Sequence, residues 1–250
     1  RFPTTVLAQD DSGVGVKNGI NAYGKKNFIG TFAVPYAVIN DFSFLHGQPE
    51  ASRRAGIIEA VKVALVKDAA FFRWIEDQCE KLTKLHPHTL EETVERSALL
   101  HAAHIAYGGD PFETGNSRPL DFGHWAAHKL EQLTDFELSH AEAVSIGVAL
   151  DTVYSWKSGR LDEKSAMRVL KVINKLQLPT WHTSLEEKCA NGTREVFNGL
   201  EEFREHLGGE LTVLLLRDIG KGEDVHAMDK NLLDECIDWL KLHTDISVVR

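Results

Sequence analysis

Apolar and polar positions divide the chain into a short irregular front and a long helical remainder. Residues 55–66, AGIIEAVKVALV, set apolar side chains at helical spacing, and residues 69–85 extend the period past Asp68. Thr89-Leu-Glu-Glu92 and Ser184-Leu-Glu-Glu187 have the form of capping boxes, in which a hydroxyl and a carboxylate three residues later satisfy the free amides of a helix start. They predict one helix from 89 to about 107 and another opening at 184. The same periodicity predicts helices over 122–133, 139–158, 162–176, 194–206 and 229–243, the last with Asp229 as N-cap. Residues 211–217, LTVLLLR, form the one clear late strand. Near the start, residues 10–30 hold five glycines and three lysines, a pattern of loops and tight turns. They separate strand-like runs at 4–7 and 33–40, the second interrupted by Pro35. The expected architecture is mainly α and multihelical, with a short N-terminal β/loop segment and one late strand or hairpin.

Composition narrows the class. The 250 residues are 43% apolar and 26% charged, as in a globular domain that needs neither disulfide nor metal merely to fold. A net charge of −9 lacks the basic face of a nucleic-acid binder or of a protein held on anionic membranes. No apolar run approaches the ~20 residues of a membrane span, and the first residues do not read as a signal peptide. Cys79, Cys189 and Cys236 form no CxxC pair, which fits a reducing, cytoplasmic setting.

Three segments carry candidate chemistry. Glu59 and Lys62 are the only ionisable groups in the 55–66 run, and at ~100° per residue they share a helix face. They read either as an i,i+3 ion pair or as a ligand and an amine facing a polar pocket. His124 and His128 stand at i,i+4, which aims two imidazoles at one centre. With 12 histidines such pairs also arise by chance, and His86, His88, His101 and His104 supply others. His140 opens an apolar helix, where it is either a solvated helix-start residue or a ligand. One carboxylate and two imidazoles from separate helices would leave open positions on a metal, the arrangement of a catalytic site.

Four motifs in order then resemble one family. RFPTTVLAQDDSGVGVKNGINAYGKKNFIGTF, AGIIEAVKVALVKD, DFGHWAAHKLE and SHAEAVSIGVAL are similar to conserved segments of dehydroquinate synthase and its sugar phosphate cyclase relatives. The wording is most similar to the dehydroquinate-synthase-like proteins of the bacterial Ebo cluster. The resemblance implies an NAD-dependent, zinc- or cobalt-dependent carbon–oxygen lyase acting on a phosphorylated keto sugar acid, as in the shikimate pathway. A substrate hydroxyl is oxidised, phosphate is eliminated, the ketone is reduced again, and an intramolecular aldol step closes the ring. It implies metal ligands at Glu59, His124 and His140, and substrate-pocket residues at Lys17, Asn27, Lys62 and His128. Thr4, Thr5, Asp11 and Lys26 match positions near the dinucleotide. The expected partners are the phosphosugar acid and a second copy in a homodimer.

Two departures bear on substrate. The family's Arg-x-x-x-Asn-Phe-Gly-His becomes Ser117-Arg118-Pro119-Leu120-Asp121-Phe122-Gly123-His124, so the arginine shifts to Arg118 and a carboxylate, Asp121, replaces an amide. An ionised carboxylate accepts hydrogen bonds and repels anions. The late family lysine has no clear counterpart, Arg204 being the nearest basic candidate. Alternatives therefore remain a cyclase for a different phosphosugar and a non-catalytic metal-binding homologue. The glycine-rich dinucleotide turn that the family places upstream is missing, since GVGVKNG at 13–19 lacks the strand–helix context of a phosphate-binding fingerprint. Residues 1–250 are thus expected to form the helical metal- and substrate-binding domain, with 1–10 the end of an otherwise absent dinucleotide-binding domain, and to be inactive alone.

Overall fold

A helix that is apolar on every side must lie in the middle, and α5, His140–Lys157, is that helix. Its residues from Ala143 to Ser155 are all buried. Around it pack α1 (Glu50–Lys67), α4 (His124–Leu133), α6 (Glu163–Lys175) and α8 (Lys230–Leu242). α2 (Ala69–Thr83) and α3 (Pro87–Tyr107) flank α1, and α7 (Asn198–His206) lies on α4. Two antiparallel hairpins complete the fold: β1 (Lys17–Ala22) with β2 (Lys25–Phe32), and β3 (Val213–Asp218) with β4 (Lys221–Val225). This computed structural model describes residues 1–22, 25–108, 119–206 and 209–244.

Local chemistry fixes the boundaries. Asp68 ends α1 and starts α2, its carboxylate accepting from the amides of Ala70 at 2.8 Å and Phe71 at 3.0 Å. Asp229 caps α8 as its sequence suggests, accepting from Asn231 and Leu232. At α5 the Ser139 hydroxyl and the Glu142 carboxylate form a reciprocal capping box.

Several expectations are corrected. The run at 4–7 is not a strand: the chain turns helical there and continues as a π-type turn, Ala8–Ser12, that buries Gln9 and Asp10. Residues 33–40 are irregular rather than β, because Pro35 interrupts any ladder. The glycine- and lysine-rich stretch contains a hairpin, not only loops. The helix expected from Thr89 starts two residues earlier, with Pro87 at its first turn, so its Thr/Glu pair lies inside the helix. Ser184 lies in a short 3-10 turn, Thr183–Glu186, where the His182 imidazole accepts from the Ser184 amide, and no α-helix follows.

Candidate metal centre and its cavity

Three helices deliver the centre, α1 lying far in sequence from the consecutive α4 and α5. α1 is buried from Gly56 to Val66, which removes Glu59 (0% exposed) and Lys62 (1%) from solvent. Lys62 Nζ lies 2.6 Å from Glu59 Oε2 and 3.8 Å from Asp11 Oδ1. Asp11, from the π-type turn, is also 3.2 Å from Nδ1 of His101 on α3. A continuous run of charged and polar groups thus connects His101, Asp11, Lys62 and Glu59.

α4 aims His124 through a glycine. Gly123 adopts φ +79°, and a Cβ there would stand 2.5 Å from the Val148 amide nitrogen on α5. Buried Asp151 holds this turn, accepting from the Gly123 amide at 3.0 Å and from Trp125 Nε1 at 2.8 Å. Burial pushes the Asp151 carboxyl up to about 7, against the lowering effect of its two donors. His124 Nδ1 is 3.2 Å from the Phe122 carbonyl. A carbonyl only accepts, so Nδ1 carries the proton and Nε2 presents its lone pair.

His140, the first residue of α5, points both nitrogens at carboxylates. Nε2 is 3.7 Å from Glu59 Oε1 and Nδ1 is 3.1 Å from Glu131 Oε2. Ligand atoms of Glu59, His124 and His140 lie within 4.8 Å of one another. Neither oxygen of fully buried Glu59 receives a well-directed hydrogen bond, although Lys62 neutralises its charge. An orphaned carboxylate beside two imidazoles is the nitrogen and oxygen donor set of a zinc or cobalt site with open positions. The residues present therefore fit a divalent metal.

The surrounding electrostatics keep these groups in useful states. Burial, reinforced by Lys62, His128 and His140, holds His124 well below the ordinary imidazole value, so it is the neutral form that ligates. Burial would depress Lys62, but Asp11 and then Glu59 hold it above its ordinary value and charged. Burial would raise Asp11, but Lys62 and then His101 hold it below the carboxylate range. Asp10, buried directly beneath, is held well above that range by desolvation and by Glu59 and Asp11.

Asp11, Lys62, His101 and His124 line a cavity of about 390 Å³, bounded also by Asp121, His128, Glu131, His140 and, from β1, Asn18 and Gly19. The ring of His128 stands 5.4 Å from that of His124 and 6.0 Å from that of His140. Seven residues named from sequence thus meet in one place: Asp11, Glu59, Lys62, Asp121, His124, His128 and His140. Others do not. Thr4 and Thr5 are exposed and outside the lining, Thr5 Oγ1 accepting from the Ala8 amide as a local turn cap. Arg204 is exposed on α7, paired with Glu201 at 2.9 Å and away from the cavity, so it does not replace the late family lysine here. Arg118 and the side chains of Lys17, Lys26 and Asn27 lie outside the described residues. Sequence reading missed His101 as a lining residue, together with Asp151 and Glu131. Glu131 carried a signal: with His124 and His128 it completes a 124/128/131 helix face.

Residues 56–195 match the family model described as 3-dehydroquinate synthase C-terminal, and residues 1–55 match its N-terminal counterpart. The chain belongs to the 3-dehydroquinate synthase family. Within it, a 3-dehydroquinate synthase of Halorhodospira halophila (strain DSM 244 / SL1) is 35% identical over 221 residues, 88% of this chain. The chain spans 60% of that relative's length. ValA, the 2-epi-5-epi-valiolone synthase of Streptomyces hygroscopicus subsp. jinggangensis 5008, solved with NAD+ and Zn2+ bound, has the same fold at a TM-score of 0.88 and 29% identity, over 97% of this chain and 66% of that one. A 2-deoxy-scyllo-inosose synthase complexed with carbaglucose-6-phosphate, NAD+ and Co2+ shares the fold at a TM-score of 0.75 and 22% identity, over 94% of this chain and 64% of that one.

Proposed function

We propose that this chain is the metal- and substrate-binding part of a sugar phosphate cyclase that works with NAD and Zn2+ or Co2+. The observation that carries the reading is the convergence of the ligand atoms of Glu59, His124 and His140 beside buried Lys62, with Lys62, His124 and His140 lining one cavity. A divalent metal held by Glu59, His124 and His140 would supply Lewis acidity to adjacent hydroxyl and carbonyl oxygens, and a bound nicotinamide would supply reversible redox capacity. Lys62 Nζ, kept charged by Asp11 and Glu59, holds a substrate oxygen or anion as a point charge. An imidazole nitrogen of His128 moves a proton at the cavity edge. Lys17, Asn27 and Arg118 are proposed substrate contacts from the hairpin and from the segment before α4, with Lys26 and Thr4–Thr5 toward the dinucleotide. The dinucleotide-binding remainder, and turnover only in the longer protein, follow from the same reading.

Heptulosonate phosphate, converted to 3-dehydroquinate, is the first candidate substrate. Asp121 favours a second: a heptulose phosphate without the carboxylate. Its side chain lines the cavity and its charge reaches Lys62, so it suits a sugar hydroxyl better than an anionic group. Turnover of full-length wild type and Asp121→Asn with both substrates tests this. The second candidate predicts that wild type prefers the heptulose phosphate and that the Asn variant gains heptulosonate turnover. Efficient wild-type conversion of heptulosonate phosphate, unimproved in Asp121→Asn, rejects it.

A further inference from the structure

The first cluster of ligand atoms is joined by a second that shares one residue. His128, Glu131 and His140 bring their own donor atoms within 4.8 Å of one another. His140 is therefore held from both sides, Nδ1 by Glu131 and Nε2 by the Glu59 face. Glu131 sits near the end of α4 with only 5% of its surface exposed, whereas Asp135 and Phe136, in the turn that follows α4, are at the surface. A carboxylate placed there costs desolvation energy unless its partners return it. Its oxygen can only accept, so the hydrogen in the 3.1 Å contact belongs to His140 Nδ1. That fixes the tautomer: Nε2 is then the lone-pair nitrogen, and it faces Glu59 at 3.7 Å. His124 reaches the same state through a backbone carbonyl, which is held rigidly by the fold. His140 Nδ1 meets a side chain instead, the Glu131 carboxylate.

We propose that Glu131 is a positioning residue for the metal centre, accepting from His140 Nδ1 so that Nε2 is presented, with the right tautomer and ring orientation, to the point that Glu59 and His124 share. The proposal rests on the metal site assigned above. Carboxylates behind ligating imidazoles raise ligand basicity and typically contribute 10–100-fold in metal affinity. Glu131 does this from α4, the helix that also carries His124, so one element sets the direction of both imidazoles.

The test is Zn2+ affinity by chelator competition, together with the visible spectrum of the Co2+ form, in the full-length protein as wild type, Glu131→Gln and Glu131→Ala. Glutamine keeps an acceptor for Nδ1–H but loses the charge, and alanine loses both. The expected result is a graded loss of affinity, ~10–100-fold for alanine and smaller for glutamine. The Co2+ bands should shift in the alanine variant and stay near wild type in glutamine. If Glu131→Ala does not fold, weakened Zn2+ binding in folded Glu131→Gln supports the role and unchanged binding overturns it. Unchanged affinity and spectrum in both variants overturn it while leaving the metal site intact. Two ions per wild-type chain and one in Glu131→Ala also overturn it, since Glu131 would then be a ligand of a second ion with His128 and His140. Wild type that binds no Zn2+ overturns the metal site itself and the positioning role with it.

Discussion

At the residue scale, the site is a balance of buried charges. Lys62 neutralises Glu59 at 2.6 Å and Asp11 at 3.8 Å. Removing one partner of a buried pair typically costs about 3–5 kcal/mol, because the other charge is left uncompensated. A divalent ion on Glu59 would supply the missing cation. Lys62→Ala is therefore expected to lower the unfolding free energy of metal-free protein by about 3 kcal/mol, and by much less when Zn2+ is saturating, while turnover of the metal-loaded full-length protein falls at least ~100-fold. Denaturant melts with and without Zn2+ check this, and an equal loss in both states would leave Lys62 as a plain ion-pair partner. Asp151 gives a pH signature. Its carboxyl is raised to about 7, so between its unfolded value near ~4 and 7 the native state binds more protons than the unfolded one. Stability contributed by this group is full below that window and falls as pH rises through it. Asp151→Asn should flatten the decline between about pH 4 and 7, measured as unfolding free energy against pH, while lowering stability at acidic pH because its amide cannot accept from both Gly123 and Trp125. A wild-type slope identical to the variant's would disprove the assignment.

At the scale of elements, what was legible depended on whether a signal was local. α1 and α5 were readable because buried helices carry long apolar runs, and Glu59 and Lys62 stood out as charges inside one. The β1–β2 hairpin was not readable, since its glycines and lysines show no alternation and its order comes from pairing. Ser184-x-x-Glu187 misled because the side chain that caps the 3-10 turn there is His182, which the hydroxyl–carboxylate spacing does not show. Glu131 was legible only as part of the 124/128/131 helix face, and Asp151 was silent because it acts on a helix it reaches only after folding. The crossing of α4 on α5 is the clearest tertiary case. A Cβ on Gly147 would stand 2.0 Å from the Gly123 carbonyl oxygen. Alanine in mid-helix is otherwise ~1 kcal/mol better than glycine, so any loss measures the close approach itself. Gly147→Ala is expected to destabilise by about 3 kcal/mol and to weaken Zn2+ binding, because separating α4 from α5 moves His124 away from His140. Denaturant melts and chelator competition would show this, and a neutral or stabilising substitution would mean that the helices do not need that contact.

For the whole molecule, the family and the mainly α architecture could be read from four motifs, because three of them pair a chemical requirement with a helix, α1, α4 or α5, that must hold it. The substrate could not, since Asp121 speaks only through neighbours that come from other elements. The same dispersal makes the metal a fastener for the fold. Glu59, His124 and His140 belong to α1, α4 and α5, so an ion bound to all three would tie α1 to the α4–α5 pair that follows it only after α2 and α3. The unfolded chain cannot present these ligands together, so binding energy appears as stability. At free Zn2+ a hundredfold above its dissociation constant the gain is ~2.7 kcal/mol. A domain of this size shifts by about 2–4 °C per kcal/mol, so a strong chelator should lower Tm by roughly 5–10 °C. Glu59→Gln should melt at one temperature with or without chelator, because its amide is a far weaker ligand than the carboxylate. Calorimetry on both proteins, at one pH and with free Zn2+ buffered, separates the outcomes. A wild-type Tm that ignores the chelator would mean that the three helices are held by packing alone.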